Sequence, residues 1–374
     1  MAERVLVVGG GIGGLSTTIA MTARGLAVDV VELNPKWDVY GVGILQPGNA
    51  IRALDQLGLA EQAIAAGFAM DGDRFHLADG TLLADNEHPR LLGPEYPGLN
   101  GITRPRLHEI LTGAVKRSGA DVKLGVTVDT LEQAGDGVTV TLTDGTRATY
   151  DLVVGADGIN SLIRARVFPE APAPEYTGQV VWRYNLPRPS EIDKLWMFVG
   201  TDGKAGLVPL SADLMYLLLV EKPPADVSLR PPAAELAGIL RERLAEFGGM
   251  IARQRELITD PQNVVYRPVE TVFVDPPWHR NRVVLIGDAA HATSPHVGQG
   301  AAMAMEDAIV LAEEVTEDVD IQPALKRFME RRYDRVRTVV DVSLQIGRWE
   351  IDKVHDADFL GLMEKAVTTT AAPI

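Results

Sequence analysis

The chain of 374 residues contains no cysteine, so disulfides, thiolate metal ligands and thiol nucleophiles are excluded together, and redox chemistry requires a borrowed cofactor. It also lacks any apolar run near the roughly 20 residues that span a bilayer, because Gly, Asp and Arg interrupt every candidate. Basic residues are too few, 36 against 51 acidic, and the formal charge of −15 repels polyphosphate and anionic lipid alike. Nucleic acid is therefore not expected as a partner. The start, Met1-Ala2-Glu3-Arg4, has no basic stretch or apolar core of a signal peptide, which predicts a cytoplasmic protein. What is present is 46% hydrophobic residue content spread along a length that exceeds one ordinary core, and this predicts two interlocked domains.

Arg4 to Val8 is a continuous apolar run of the kind buried on both faces of a parallel sheet. Glycines follow at once, residues 12 to 24 have helical character, Gly25 supplies a left-handed stop, and Ala27 to Val31 forms a second buried strand. Residues 138–150 alternate with period two around Asp144-Gly145, predicting a hairpin in a meander beside the parallel sheet. Further strand-then-glycine signals end at Gly155 and Gly287. Between them, strand-like runs at Leu195–Val199, Ala205–Leu210 and Met215–Val220 predict an antiparallel layer, backed by one helix over Ala233–Phe247. Gln299 to about Arg348 is helical in composition, and the small-residue tail Thr368–Ile374 is expected to fray.

Within Gly9-Gly10-Gly11-Ile12-Gly13-Gly14 the pattern Gly-x-Gly-x-x-Gly joins strand to helix, the context in which it signifies dinucleotide binding. Side chains at Gly9 or Gly11 would block a pyrophosphate, whose charge the free amides of the helix start stabilise, and Gly14 permits close helix–strand packing. Glu32 closes the second strand, where a carboxylate can accept hydrogen bonds from ribose hydroxyls. A second bare helix start, Gly287-Asp288 continuing through Pro295-His296-Val297-Gly298-Gln299-Gly300-Ala301, suits the approach of a flat, electron-rich ring to exposed amides. His296 lies in that loop and is a candidate base; His291 fits a packed side chain better.

Three segments together resemble the group A FAD-dependent aromatic monooxygenases with the para-hydroxybenzoate hydroxylase fold: the glycine loop with Glu32, the run Asp151 to Gly158 with Ser161 and Arg164, and Gly287 to Gly300. Ile102-Thr-Arg104-Pro-Arg106 resembles the segment whose arginine contacts the flavin side chain, although Pro105 departs from it. Gly41 to Ile44 with Pro47 and Asn49 looks like the family's mobile flavin-flanking loop. The run Gly300 to Ala308 and Trp182-Arg183 are similar to the salicylate, hydroxynicotinate, urate and alkylquinolone hydroxylase branch.

The resemblance implies an α/β (mixed α+β) fold. It comprises a Rossmann-like FAD-binding domain over 1–72, 99–177 and 268–340, an inserted antiparallel substrate domain over 73–98 and 178–267, and a C-terminal helical tail over 341–374. It further implies FAD contacts from Gly9, Gly11, Ile12, Gly13, Gly14, Glu32, Leu33, Gly43, Arg104, Asp157, Gly287, Asp288, Pro295, Gly298, Gln299, Gly300 and Ala301. Tyr216, Lys204, His296 and Pro295 become the candidates that face a small aromatic or heteroaromatic substrate. The implied reaction has NADH or NADPH reduce FAD, O2 form a flavin hydroperoxide, and the ring take up one oxygen, in a monomer or homodimer. The competing readings are a flavin reductase or dehydrogenase on the same scaffold, since fold does not fix chemistry, and a non-catalytic nucleotide-binding regulator. The Trp-x-Trp-x-x-Pro segment typical of flavin halogenases is missing.

Overall fold

The computed structural model describes residues 3–39, 41–224, 228–317, 320–354 and 356–374. Its first unit is a six-stranded sheet in the order His279–Arg280, Val283–Leu285, Leu152–Gly155, Arg4–Val8, Ala27–Glu32, Asp121–Leu124. All neighbours are parallel except the first pair. Val5, Leu6, Val7 and Val8 are buried on both faces, as a central parallel strand requires. Each such side chain contributes roughly 1.5–3 kcal/mol. The helix Ile12–Thr22 ends two residues before Arg24, and Gly25 follows with φ +87°. The meander Val128–Ala134, Gly137–Leu142, Arg147–Tyr150 lies beside this sheet, where the Tyr150 hydroxyl donates to Asp29 at 2.9 Å.

The second unit is a seven-stranded sheet in the order Val265–Thr271, Glu175–Pro187, Leu214–Glu221, Gly203–Pro209, Leu195–Val199, Gly72–Leu77, Leu82–Glu87. It is antiparallel except where Leu195–Val199 runs parallel to Gly72–Leu77. Its two faces have different fates because strand side chains alternate. Trp182, Tyr184, Leu217, Leu219 and Phe198 enter a core closed by the helices Leu236–Arg243 and Gly249–Arg255. Arg183, Tyr216, Leu218 and Met197 face the opposite way, into a cavity. A small sheet, Gly43–Pro47, Leu99–Thr103 and Phe68–Met70, stands beside that cavity.

Three expectations are corrected. Ala233–Phe247 is a 3₁₀ turn followed by the helix Leu236–Arg243, and a second helix, Gly249–Arg255, follows Gly248. Residue 341 is inside one helix, Ile321–Asp352, so no separate tail begins there. The tail does not fray: Phe359–Ala371 is helical, and Arg52 and Arg335 donate to the carbonyls of Thr369, Thr370, Ala371 and Ala372 that a helix end leaves unpaired. Among the described residues no helix is long and apolar enough to cross a membrane.

Candidate active site

A cavity of about 910 Å³ runs from the glycine loop to the front of the seven-stranded sheet. At its first end Gly11 is the extended cap of the helix Ile12–Thr22, with no side-chain cap and no acidic residue in the first turn. The first amides of this helix, which have no intrahelical acceptor, therefore face the cavity wall formed by Gly11, Ile12 and Gly13. The glycines divide their roles. A Cβ at Gly9 would lie 2.4 Å from the Ala156 carbonyl oxygen, and one at Gly14 would lie 1.9 Å from that of Gly9, so both serve packing between strand ends and helix. Gly11 alone of these three would meet nothing within 4 Å. Gly9 thus differs from the expectation that it keeps space for a pyrophosphate.

Glu32 does not line the cavity. Its carboxylate accepts from the amides of Gly10 and Asn34, both at 2.6 Å, and Trp37 Nε1 donates to the Gly10 carbonyl at 3.2 Å. Leu33 is exposed outside the cavity. Asp157 is also turned elsewhere: it accepts from the Ser161 hydroxyl and from the amides of Leu162 (2.7 Å) and Ile163 (3.1 Å), fastening the start of Leu162–Val167. Burial raises its pKa, against the lowering effect of these hydrogen bonds. Its neighbours Ala156 and Gly158 form the wall instead.

Farther along, Gly43, Arg104, Gly287, Asp288, Pro295, Gly298, Gln299, Gly300 and Ala301 all line the cavity. Arg104, and not Arg106, is the arginine there; Arg106 pairs with Glu109 at 2.5 Å. Among the described residues nothing bonds the Asp288 carboxylate. The Gln299 amide is committed to a reciprocal pair with Asn49 at 2.9 and 3.0 Å, which ties the 295–300 loop to the segment after Gly43–Pro47. Gly298 takes φ +64°, and the helix Gly300–Glu317 starts without an acidic residue in its first turn. Behind this loop Asp307 accepts from the Gly287 amide at 3.0 Å and meets His291 Nε2 at 2.6 Å and Arg332 Nε at 2.8 Å. Burial works against that carboxylate, but His291 and Arg332 hold its pKa at about 2. His291 is a structural side chain.

Two of the substrate-side candidates, Lys204 and His296, converge on a residue the sequence did not single out. Lys204 Nζ donates to Glu350 Oε1 at 2.6 Å, and His296 Nε2 and Gln179 Nε2 both reach Glu350 Oε2 at 3.0 Å. His296 Nδ1 is 2.9 Å from the Ser294 hydroxyl, itself 2.8 Å from that of Ser343. Burial, and then Lys204, lowers the His296 pKa against the pull of Glu350, so the ring is neutral near pH 7. Burial also disfavours the Glu350 carboxylate, yet Lys204 and His296 outweigh it and hold the pKa at about 2. The only sequence signal for Glu350 is its spacing of seven from Ser343 on the helix Ile321–Asp352, two polar residues in one buried stripe. Tyr216 is on the neighbouring strand, buried, with its ring against Gly43, where a Cβ would lie 2.4 Å away. Burial raises its pKa, while Arg183 and Arg104 pull it down.

The family model described as an FAD binding domain matches residues 3–343. The 2-heptyl-3-hydroxy-4(1H)-quinolone synthase of Pseudomonas aeruginosa is 32% identical, over 92% of this chain and 90% of that protein. Aurachin C monooxygenase/isomerase of Stigmatella aurantiaca is 31% identical over the same shares, 92% and 90%. Among solved structures, Klebsiella pneumoniae HpxO complexed with FAD and uric acid superposes with a TM-score of 0.83 at 28% identity, covering 99% of this chain and 92% of that one.

Proposed function

Since the chain belongs to the FAD binding domain family of flavin-dependent monooxygenases, we propose that it hydroxylates a small electron-rich aromatic or heteroaromatic ring, with NADH or NADPH as reductant and O2 as oxidant. One observation carries this reading: a single cavity joins the open amides at Gly11–Gly13 to a sheet face bearing Tyr216 and Lys204. The fit to FAD rests on the same wall. A Cβ at Gly11 would project into open space, as would one at Gly158 or Gly298, so the backbone there is accessible to a ligand. The amides of Ile12 and Gly13 suit a pyrophosphate. Arg104 and Asp288 are placed for the polar chain between its two ends, and amides from Gly298 to Ala301 suit the flavin ring. FAD supplies, when bound, the electron transfer and oxygen activation that these side chains lack.

The chain's own part is orientation and dryness. Leu218, Val220 and Met197 form an apolar floor that excludes water from the ring face. The Tyr216 hydroxyl, without an internal partner among the described residues, is available to the substrate's ring oxygen and its proton. His296, anchored through Nδ1 to Ser294, reaches Glu350 through Nε2 and holds the Lys204–Glu350 pair in place. We assign cofactor binding to 1–72, 99–177 and the segment from 268 onward, and substrate binding to 73–98 and 178–267. The test is substrate-stimulated oxidation of NADH and NADPH under oxygen with hydroxylated benzoates, pyridines, purines and quinolones, scored by product mass. A yellow protein and a gain of one oxygen support the reading; oxygen-independent turnover rejects it.

A further inference from the structure

Among the described residues four lysine and arginine side chains line the cavity: Arg104, Arg183, Lys204 and Lys353. Two are neutralised, Lys204 by Glu350 at 2.6 Å and Lys353 by Asp202 at 2.7 Å. Arg104 stands exposed at a helix start near Gly41. Arg183 is different, because it projects from the middle of a strand, Glu175–Pro187, into the recessed face of the sheet. Among the described residues it makes no hydrogen bond or ion pair, and the charges that act on it are those of Tyr216 and Arg104, with no carboxylate among them. A guanidinium stays protonated even when recessed, so the site holds an unbalanced positive charge that an anion would relieve.

The carboxylates of the cavity cannot fill this place. Asp73 is held by His88 at 2.7 Å and Asn86 at 2.8 Å, and Glu350 by Lys204. Asp288 belongs to the loop at the cofactor end. Glu270 is on the strand next to Arg183, but the register places Val265 opposite Arg183, so Glu270 lies five residues, roughly 17 Å, along the strand. On the other side Leu218 is opposite Arg183, and Tyr216 is the diagonal neighbour. Gly206 is opposite both Leu218 and Met197, and a Cβ there would lie 2.7 Å from Met197 Sδ, so the lack of a side chain lets Met197 and Leu218 close over it and form the floor together.

We propose that Arg183 selects the substrate, gripping an anionic oxygen on a flat ring that lies over Leu218 and Met197 beside the Tyr216 hydroxyl. This rests on the monooxygenase reading above. The oxygen belongs to a ring carboxylate or a ring phenolate, both of which match the two-pronged geometry of a guanidinium. Lys204 is excluded from the role because an anion would first have to displace Glu350.

The experiment measures dissociation constants of FAD-loaded protein by flavin absorbance and, independently, by calorimetry. The probes are salicylate against neutral salicylamide, and 4-nitrophenolate against 4-nitroanisole. The wild type is expected to prefer at least one anion over its neutral partner by roughly tenfold or more. The arm that shows the preference identifies the group, carboxylate or phenolate. Arg183→Gln is expected to erase that preference while retaining flavin absorbance at about 450 nm, and Arg183→Lys to keep part of it. The proposal is overturned if the wild type prefers neither anion, or if Arg183→Gln keeps the preference or loses its flavin. Should Arg183→Gln not fold, an Arg183→Lys protein with wild-type preference overturns it equally. A colourless wild type, or oxygen-independent turnover, would instead sink the monooxygenase reading without involving Arg183.

Discussion

Behind the loop that carries Asp288, Arg332 is fully buried between Asp307 and Glu306, and Arg335 reaches Glu306 as well, so each charge has an opposite within 2.8 Å. On the front of the seven-stranded sheet, Arg183 has no such partner among the described residues, and Lys204 shares Glu350 with a neutral histidine. The first arrangement spends its polar groups on the chain itself and fixes the cofactor-side loop. The second leaves capacity over, and spare capacity facing a cavity is what a ligand can use. The same contrast separates Asp157, whose oxygens are taken by a helix start, from the free amides beside Gly11.

The largest effect expected from this contrast is at Arg332. Arg332→Met leaves two buried carboxylates short of a cation and should lower stability by about 3–5 kcal/mol, whereas Arg183→Gln should stay within about 1 kcal/mol of wild type in urea unfolding. Equal losses would erase the distinction. Next comes acid sensitivity. Glu350 and Asp307 have pKa values held at about 2, below their ordinary 4.5 and 3.8. Depressed carboxylates stabilise fully above their unfolded pKa and lose that stabilisation as pH falls toward the folded one. Stability should therefore drop between about pH 4.5 and 2, by on the order of 2–3 kcal/mol for Glu350. Glu350→Gln should flatten that part of the profile, and an unchanged slope would remove Glu350 from the hub.

Gly11→Val should weaken FAD retention by roughly tenfold or more, read by flavin absorbance after dialysis, with unfolding little changed. The smallest effect belongs to Asp157→Ala, which should cost about 1 kcal/mol as a lost helix-start acceptor while flavin stays bound. Loss of flavin there would return Asp157 to the cofactor.

Whatever depended on neighbours in the chain was legible beforehand. The strand, glycine loop and helix from Arg4 to Thr22, the hairpin around Gly145 and the bare start at Gly300 follow from local periodicity and small residues. Arg104 and Asp288 were legible as cavity residues from motif resemblance. The Lys204–Glu350 pair was not, because its members are 146 positions apart and only the packing of a long helix on the sheet joins them. Arg183 was visible as a residue but not as an unpaired charge, since that depends on the register of three strands. The internal partners of Asp157 were not legible, because sequence shows a carboxylate near a glycine without showing which amides it will find. The tail failed for a related reason: its composition favours fraying, and the arginines that hold it come from Arg52 and Arg335.

The alternation along Glu175–Pro187 and Leu214–Glu221 has a practical corollary for engineering. Randomising 181, 183, 216, 218 and 220 would alter what the enzyme accepts, while randomising 180, 182, 215, 217 and 219 would mainly lower the yield of folded material. A combinatorial library confined to the first set would sample new chemistry at the smallest risk to the scaffold.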